Sequence, residues 1–282
     1  MKRDIIIIAE SGGMTVGFGT GVLEALQEKN VYSRIDSVYG SSAGAHQLTY
    51  FITKQTNLAG TVPINDLNNN KFIKKNKFKK FISTIMHGKK YNLMHLDYLI
   101  DIEQHQKRLD VNSIKSSPIK LYFRVFDINK LKSKIINGKE HIFSGMLASS
   151  ACIPYYNVPV RINNNYYIDG SQMITESFEN IIEKNQDKKI IYIINHKNTI
   201  FNAIIKYPIR LLESILIFRL YGLKLAFRYA TTMDATKIHR LRKYKNVILV
   251  VNNCNNDLSC TDKEKLIKLY TYGKEQGKQI NI

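Results

Sequence analysis

Two short apolar segments near the start of the chain each run into a glycine-containing turn and then into a helix-like stretch. The first is Ile5 to Ala9 and the second is Ser37 to Tyr39. Further apolar segments follow at Lys120 to Asp127, Lys189 to Asn195 and Asn246 to Val251, with helix-like stretches between them. This alternation predicts an α/β fold of three layers, a mostly parallel central sheet with helices on both faces.

The turn after the second segment has the pattern Gly-x-Ser-x-Gly. Its residues are Gly40, Ser41, Ser42, Ala43 and Gly44, and the helix-like run Ala45 to Ile52 follows directly. A strand that turns sharply into a helix exposes the central side chain, and the flanking glycines permit the strained backbone. The pattern therefore predicts Ser42 as the nucleophile of an acyl-transfer reaction.

The turn after the first segment contains Gly12, Gly13 and Met14, and a helix-like stretch follows. Glycines let backbone N–H groups point into open space, and a helix N-terminus adds positive potential there. We expect these three N–H groups to form an oxyanion hole.

A third motif, Asp169-Gly170, ends the apolar segment that begins at Tyr166. Asp-Gly is by itself a turn signal. At the end of a strand, however, Asp169 can face the same strand ends as Ser42.

In this order and setting, the three motifs resemble those of the patatin-like phospholipases, most closely the bacterial branch with a helical C-terminal extension. The resemblance covers most of the chain and includes the segment Ala148 to Pro154. It implies a Ser–Asp dyad, in which Ser42 attacks a lipid ester and Asp169 acts as general base and then general acid. The activity implied is that of a phospholipase A or lysophospholipase on a phospholipid, with no cofactor and no metal.

The length and the alternation of predicted elements indicate one α/β domain with an extension. We expect a patatin-like catalytic domain over residues 1–195, with a lid or cap in 56–95. The C-terminal extension, 196–282, would pack on the same domain. The sequence does not indicate an oligomeric state.

The chain departs from the family in the first glycine turn. Where members usually have Gly-Gly-Gly-x-Arg-Gly, this sequence has Ser11, Gly12, Gly13, Met14, Thr15 and Val16. Thr15 thus replaces an arginine that would stiffen the loop, and Val16 replaces a small residue with a β-branched one.

Two other classes of protein stay open. His196 directly follows the segment Lys189 to Asn195, so Ser42, Asp169 and His196 have the chain order of an α/β-hydrolase triad. The changes at Thr15 and Val16 suggest instead a lipid-binding protein with impaired catalysis. For His46, four residues after Ser42, we expect a role in helix packing.

The net charge of +19, from 42 basic and 23 acidic residues, favours anionic partners. Nucleic acid is not expected, because the aromatic pattern of nucleic-acid modules is absent. Between Lys71 and Lys90, Phe78, Phe81, Ile82 and Ile85 fall on one face of a basic helix. Such a helix either packs on the core or contacts an anionic membrane from one side.

A second apolar region, Ile204 to Tyr229, is interrupted by charged residues and does not predict a membrane-spanning helix. We expect its apolar side chains to pack on the body of the protein: Leu211, Leu212, Ile215, Leu216 and Phe218. The first strand begins by Ile5, which predicts no signal peptide. The three cysteines have no disulfide or metal spacing, so we expect a cytoplasmic protein, peripheral at most to a membrane.

Overall fold

The computed structural model describes residues 2–73, 92–174, 178–196, 200–232, 236–254 and 258–282, with only the main chain for 200–206. The helix predicted between Lys71 and Lys90 lies almost wholly outside these ranges. Its contribution to membrane contact therefore stays a prediction.

The described residues contain an eight-stranded sheet. Its strands are β1 (Ile5–Ala9), β2 (Ile35–Ser41), β3 (Lys120–Asp127), β4 (Lys132–Asn137), β5 (Val160–Ile162), β6 (Asn165–Asp169), β7 (Lys189–Ile194) and β8 (Val247–Val251). The strand order is β5-β6-β3-β2-β1-β7-β8, and β4 also pairs with β3. Strands β3, β2, β1, β7 and β8 run parallel, whereas β4 and β6 are antiparallel to β3. This confirms the mostly parallel sheet that the sequence predicts.

Helices cover both faces of the sheet. They are α1 (Gly17–Glu28), α2 (Ala43–Ile52), α3 (Thr56–Thr61), α4 (Leu96–Asp101), α5 (Val111–Ser116), α6 (Ile142–Ser150), α7 (Glu179–Lys184), α8 (Ile200–Tyr221), α9 (Leu223–Thr231), α10 (Lys237–Leu241) and α11 (Lys263–Lys278). Short π-helical turns continue α3 (Val62–Asp66) and α4 (Ile102–Gln106), and 3₁₀ turns lie at Gly13–Val16 and Val31–Arg34.

The central strands are apolar on both faces, as expected where helices cover a parallel sheet on both sides. In β1, Ile5 and Ile7 pack with Phe18 of α1 and Leu48 of α2. The alternate residues Ile6 and Ile8 pack in a separate cluster on the opposite face, with Phe178 and Ile182. The alternation of side chains along a strand thus produces the three layers.

One edge of β3 is shared by two strands. Strand β4 pairs with residues 122–127 of β3, so β2 and β6 must both lie on the other edge. There β2 ends with Ser41 opposite Arg124, and β6 ends with Asp169 opposite Val125. Because β6 is antiparallel to β3, its C-terminal end meets the C-terminal end of β2. This register places Asp169 beside Ser42, the residue that follows the end of β2.

The region after residue 196 is joined closely to the rest of the fold. Strand β8 pairs with β7 and extends the sheet, and α11 packs along α1. Lys274 of α11 lies 2.7 Å from carboxylate oxygens of both Glu24 and Glu28. None of the described helices combines the length and the apolar character that crossing a bilayer requires.

The packing expected for α8 is wrong for four of the five side chains. Leu216 is buried as predicted, but Leu211, Leu212, Ile215 and Phe218 are exposed. The reason is the position of the helix. α8 presents one face to the body of the protein, where Ile217 is also buried, and turns the opposite face outward.

Candidate active site

Ser42 lies in the sharp turn between β2 and α2. Its backbone has φ 54° and ψ −129°, a conformation that side-chain-bearing residues rarely adopt and that costs on the order of 1–3 kcal/mol. The surrounding structure holds it there, because the Ser42 N–H donates to Ser149 Oγ at 2.8 Å and Ser149 Oγ donates to the carbonyl of Arg124 at 2.8 Å. The turn has the strain expected of a nucleophile-bearing elbow.

The last glycine of this turn permits a close backbone approach. A Cβ atom at Gly44 would lie 2.2 Å from the carbonyl oxygen of Ala9, so any side chain would push α2 away from β1. Gly40, at the end of β2, lies against Ala45, and Gly170 lies against the main chain of Arg124. The three motif glycines therefore occupy crowded positions around Ser42 and Asp169.

The Ser42 hydroxyl lies near the carboxyl group of Asp169. Asp169 is buried and also accepts hydrogen bonds from the N–H and the hydroxyl of Ser171, both at 2.7 Å. Burial raises the pKa of Asp169 above its ordinary value, although these hydrogen bonds and the charge of Arg124 oppose the rise in part. A carboxylate with a raised pKa beside a serine hydroxyl is suited to act as a general base.

The glycine turn after β1 lies at the same end of the sheet. Gly13 has φ 51°, in the left-handed region that favours glycine. The N–H of Met14 donates to the carbonyl of Leu258 at 2.8 Å, so in this structure it is not available to an oxyanion. Within the described part of the chain, the N–H groups of Gly12 and Gly13 have no such acceptor. These two groups are the better candidates for the predicted oxyanion hole.

Thr15 fixes this turn in place of the arginine that the family usually has. Its side chain is fully buried, and Thr15 Oγ1 lies 2.6 Å from the carbonyl of Gly12 and 3.0 Å from the carbonyl of Asn195. Asn195 adds to the attachment, since its Nδ2 donates to the carbonyl of Glu10 at 2.7 Å and its Oδ1 accepts from the N–H of Gly19 at 2.9 Å. The side chains of Thr15 and Asn195 therefore both link the glycine turn to the end of β7.

A buried charge network lies beneath the two turns. Arg124 Nη2 donates to Glu10 at 2.8 Å, and Lys237 Nζ donates to the other oxygen of the same carboxylate at 3.0 Å. Burial would raise the pKa of Glu10, but the charges of Arg124 and Lys237, together with a hydrogen bond from Tyr192, lower it to about 2. Glu10 therefore stays ionised and holds Arg124 near Asp169.

Comparison with protein families gives a match to the patatin-like phospholipases over residues 8–175. The matched region is more than half of the chain and contains both Ser42 and Asp169. The chain belongs to the patatin-like phospholipase family. Members of this family are lipid acyl hydrolases.

Among solved structures, this patatin-like chain is similar to VipD from Legionella pneumophila, with a TM-score of 0.51 and 13% sequence identity. The alignment covers 98% of this chain and 66% of the VipD chain, so the chain spans slightly less than two thirds of VipD. At this identity the likeness shows a shared fold. No curated protein matches the sequence.

A cleft beside Ser42 offers room for the apolar part of a ligand. Its volume is about 70 Å³, and most of its lining is apolar. The apolar lining includes Met14, Val62, Pro63, Leu67, Phe72, Leu96 and Leu99. Several of these residues come from the described part of the segment 56–95, which therefore forms one wall of the cleft.

The cleft also has a polar group that the sequence did not predict. His46 Nδ1 lies 2.8 Å from Glu103, and its Nε2 lies 2.9 Å from Ser150 Oγ. All three side chains are buried and line the same cleft as Ser42. In the sequence, the only signal of this polar group is His46, which lies four residues after Ser42. Glu103 and Ser150 come from distant parts of the chain.

His196 follows β7 and is half-buried. Asp169 lies beside Ser42, whereas in a triad a histidine stands between the serine and the carboxylate. Across the ranges that the structure describes, no group of three or more His, Cys, Asp or Glu side chains could hold a metal ion.

Proposed function

We propose that this protein is a lipid acyl hydrolase of the phospholipase A or lysophospholipase type, with Ser42 and Asp169 as its catalytic dyad. The observation that carries the proposal is the placement of buried Asp169 beside Ser42 by the register of β2 and β6 on β3, at a cleft with an apolar lining. The hydroxyl can pass its proton to the carboxylate as it attacks. The apolar lining of the cleft suits an acyl chain next to it.

The reaction would proceed through an acyl-enzyme. Ser42 Oγ attacks the carbonyl carbon of the ester while Asp169 takes the hydroxyl proton. The negative charge on the carbonyl oxygen is stabilised by the N–H groups of Gly12 and Gly13. The intermediate then collapses, and the leaving alcohol receives the proton from Asp169. Water, activated by the same carboxylate, attacks the acyl-enzyme and releases the fatty acid.

Fluorophosphonate labelling followed by peptide mapping tests the nucleophile. We expect the label on Ser42, and we expect Ser42→Ala and Asp169→Asn each to reduce ester hydrolysis by at least about a thousandfold, since the two residues act as one unit. Ser150→Ala is the matched control, because Ser150 lies in the same cleft and is hydrogen-bonded to an imidazole. It should keep the label.

Two outcomes would contradict the proposal. A label on Ser150 that His46→Ala abolishes would make Ser150, His46 and Glu103 the reactive group instead. A wild-type protein that takes no label and hydrolyses no ester, but still binds lipid vesicles, would support a lipid-binding protein without catalysis.

A further inference from the structure

The helices α8 and α9 expose a row of large apolar side chains. About half of each of Leu212, Ile215 and Phe218 on α8 is exposed, and on α9 the exposure of Leu223 reaches 69% and that of Phe227 reaches 68%. Leu211 and Tyr207 extend the row. Soluble monomers rarely expose contiguous apolar surface of this kind without a function. We refer to these residues, with Lys224 and Arg228, as the α8–α9 surface.

The opposite face of the two helices packs against the body of the protein. Ile217, Leu225 and Tyr229 are buried in a cluster with Phe126 and Ile168. Buried Glu213 accepts hydrogen bonds from Tyr155 at 2.7 Å and from Tyr229 at 2.5 Å. Because the inner faces of both helices are packed and hydrogen-bonded, loose packing does not explain the exposure of the outward apolar residues.

The charges on the outward side are basic. On α9, Lys224 and Arg228 are four residues apart and stand beside the apolar pair Leu223 and Phe227. Glu213 is the only acidic residue from 200 to 232, and it is buried. Neither Lys224 nor Arg228 makes an ion pair with an acidic side chain of the described residues. An apolar surface flanked by such cations is complementary to an anionic lipid surface.

The α8–α9 surface is attached to the segment that follows Asp169. Arg210 Nη2 donates to the carbonyl of Gln172 at 2.9 Å, three residues after Asp169. Arg210 also donates to the carbonyls of Tyr229 and Thr232 at 2.6 and 2.7 Å, which links α8 to α9. The surface is thus held in a fixed position relative to the edge of the sheet that carries the dyad.

We propose that the α8–α9 surface docks the protein on a bilayer rich in anionic phospholipid. Leu212, Phe218, Leu223 and Phe227 enter the boundary between head groups and acyl chains, and Lys224 and Arg228 lie near the phosphates. Docking itself does not need catalysis. The idea that it delivers substrate rests on the proposed function.

Vesicle sedimentation tests the docking. The protein carries Ser42→Ala so that no lipid is consumed, and the vesicles are either phosphatidylcholine alone or phosphatidylcholine with phosphatidylserine. We expect binding to the anionic vesicles that weakens with salt. Lys224→Gln with Arg228→Gln should weaken it roughly thirtyfold, the effect of two cations near such a surface. Leu223→Ser with Phe227→Ser should also release the protein, at every salt concentration.

The matched control is Lys263→Gln with Lys268→Gln, which removes the same charge from exposed positions of α11. It should bind as the parent does, and circular dichroism checks that every variant is folded. Equal binding by the α9 variants and the control overturns the docking, whether or not the wild type hydrolyses esters. Conversely, a wild type that docks but hydrolyses no ester removes the proposed function and leaves the docking intact. A third outcome is that the protein does not bind vesicles but is a dimer in ultracentrifugation. If Leu223→Ser with Phe227→Ser dissociates that dimer, a second copy of the chain covers this surface instead of a membrane.

Discussion

The imidazole Nδ1 of His46 lies 2.8 Å from the carboxylate of Glu103, and both side chains are buried in the wall of the cleft that holds Ser42. Ser150 completes the group through His46 Nε2. Polar groups in an otherwise apolar cleft are costly unless they satisfy one another. Here each has a partner, and the group joins α2, α6 and the turn after α4 into one wall.

The first prediction concerns the stability of that wall. His46→Ala leaves the Glu103 carboxylate buried without its partner, so we expect a loss of about 3 kcal/mol or more in the free energy of unfolding. Glu103→Gln keeps a hydrogen-bonding side chain of the same size and should cost about 1 kcal/mol. Urea unfolding measures both. The exposed His239→Ala is the control, and equal stability of His46→Ala and this control would contradict the prediction.

The second prediction concerns the pH dependence of catalysis. Asp169 can act as a base only when it is ionised, and burial raises its pKa above the ordinary value of 3.8. Activity should therefore fall with decreasing pH, with a midpoint above 3.8. Ser171→Ala removes a 2.7 Å hydrogen bond to the ionised carboxylate, so the midpoint should rise by about one pH unit.

The measurement is kcat/KM for a soluble ester from pH 4 to pH 9. Ser116→Ala, at an exposed serine of α5, controls for the loss of a hydroxyl. A midpoint that stays the same in Ser171→Ala would mean that another group sets the acid limb.

The third prediction concerns the charge network under the glycine turns. Glu10→Gln leaves fully buried Arg124 without its carboxylate, which should cost roughly 3–5 kcal/mol. The pKa of Glu10 is lowered from 4.5 to about 2, so its contribution to stability is fully present above pH 4.5 and is lost as the pH falls toward 2. Urea unfolding between pH 7 and pH 3 should therefore show a shallower decline for Glu10→Gln than for the wild type. Parallel declines would show that Glu10 is not the group concerned.

The fourth prediction concerns the glycine turn itself. Thr15→Val keeps the shape of the side chain but removes the hydroxyl that contacts the carbonyls of Gly12 and Asn195. Because small displacements of a catalytic group are costly, we expect kcat to fall at least about tenfold with little change in KM. Thr15→Ser keeps the hydroxyl and should stay near the wild type. Equal kcat values for the two variants would show that the hydroxyl does not position the turn.

The fifth prediction distinguishes the dyad from a triad. If Asp169 accepts the proton of Ser42 directly, His196→Ala should change turnover by less than about tenfold, whereas loss of a triad base costs far more. Initial rates on a soluble ester, with folding checked by circular dichroism, decide between the two. A His196→Ala variant as inactive as Ser42→Ala would move the protein into the triad class.

Much of this protein follows from short stretches of its sequence. Apolar runs such as Ile5 to Ala9 and the glycine spacing around Ser42 are local patterns, and they act through backbone sterics and side-chain alternation within a few residues. They were enough to predict the five parallel strands of the sheet, the elbow, and the candidate residues Ser42 and Asp169, but not β4 and β5. The family resemblance added the pairing of those two residues.

Tertiary structure alone decided how distant segments meet. Asp169 reaches Ser42 because β2 and the antiparallel β6 share one edge of β3, a register that no local pattern encodes. His46 finds Glu103 across 57 residues, and Thr15 finds Asn195 across 180. The outward face of α8 was predicted wrongly for the same reason. The periodicity of a helix shows that it has an apolar face, but only the neighbours present in the fold determine whether that face is covered.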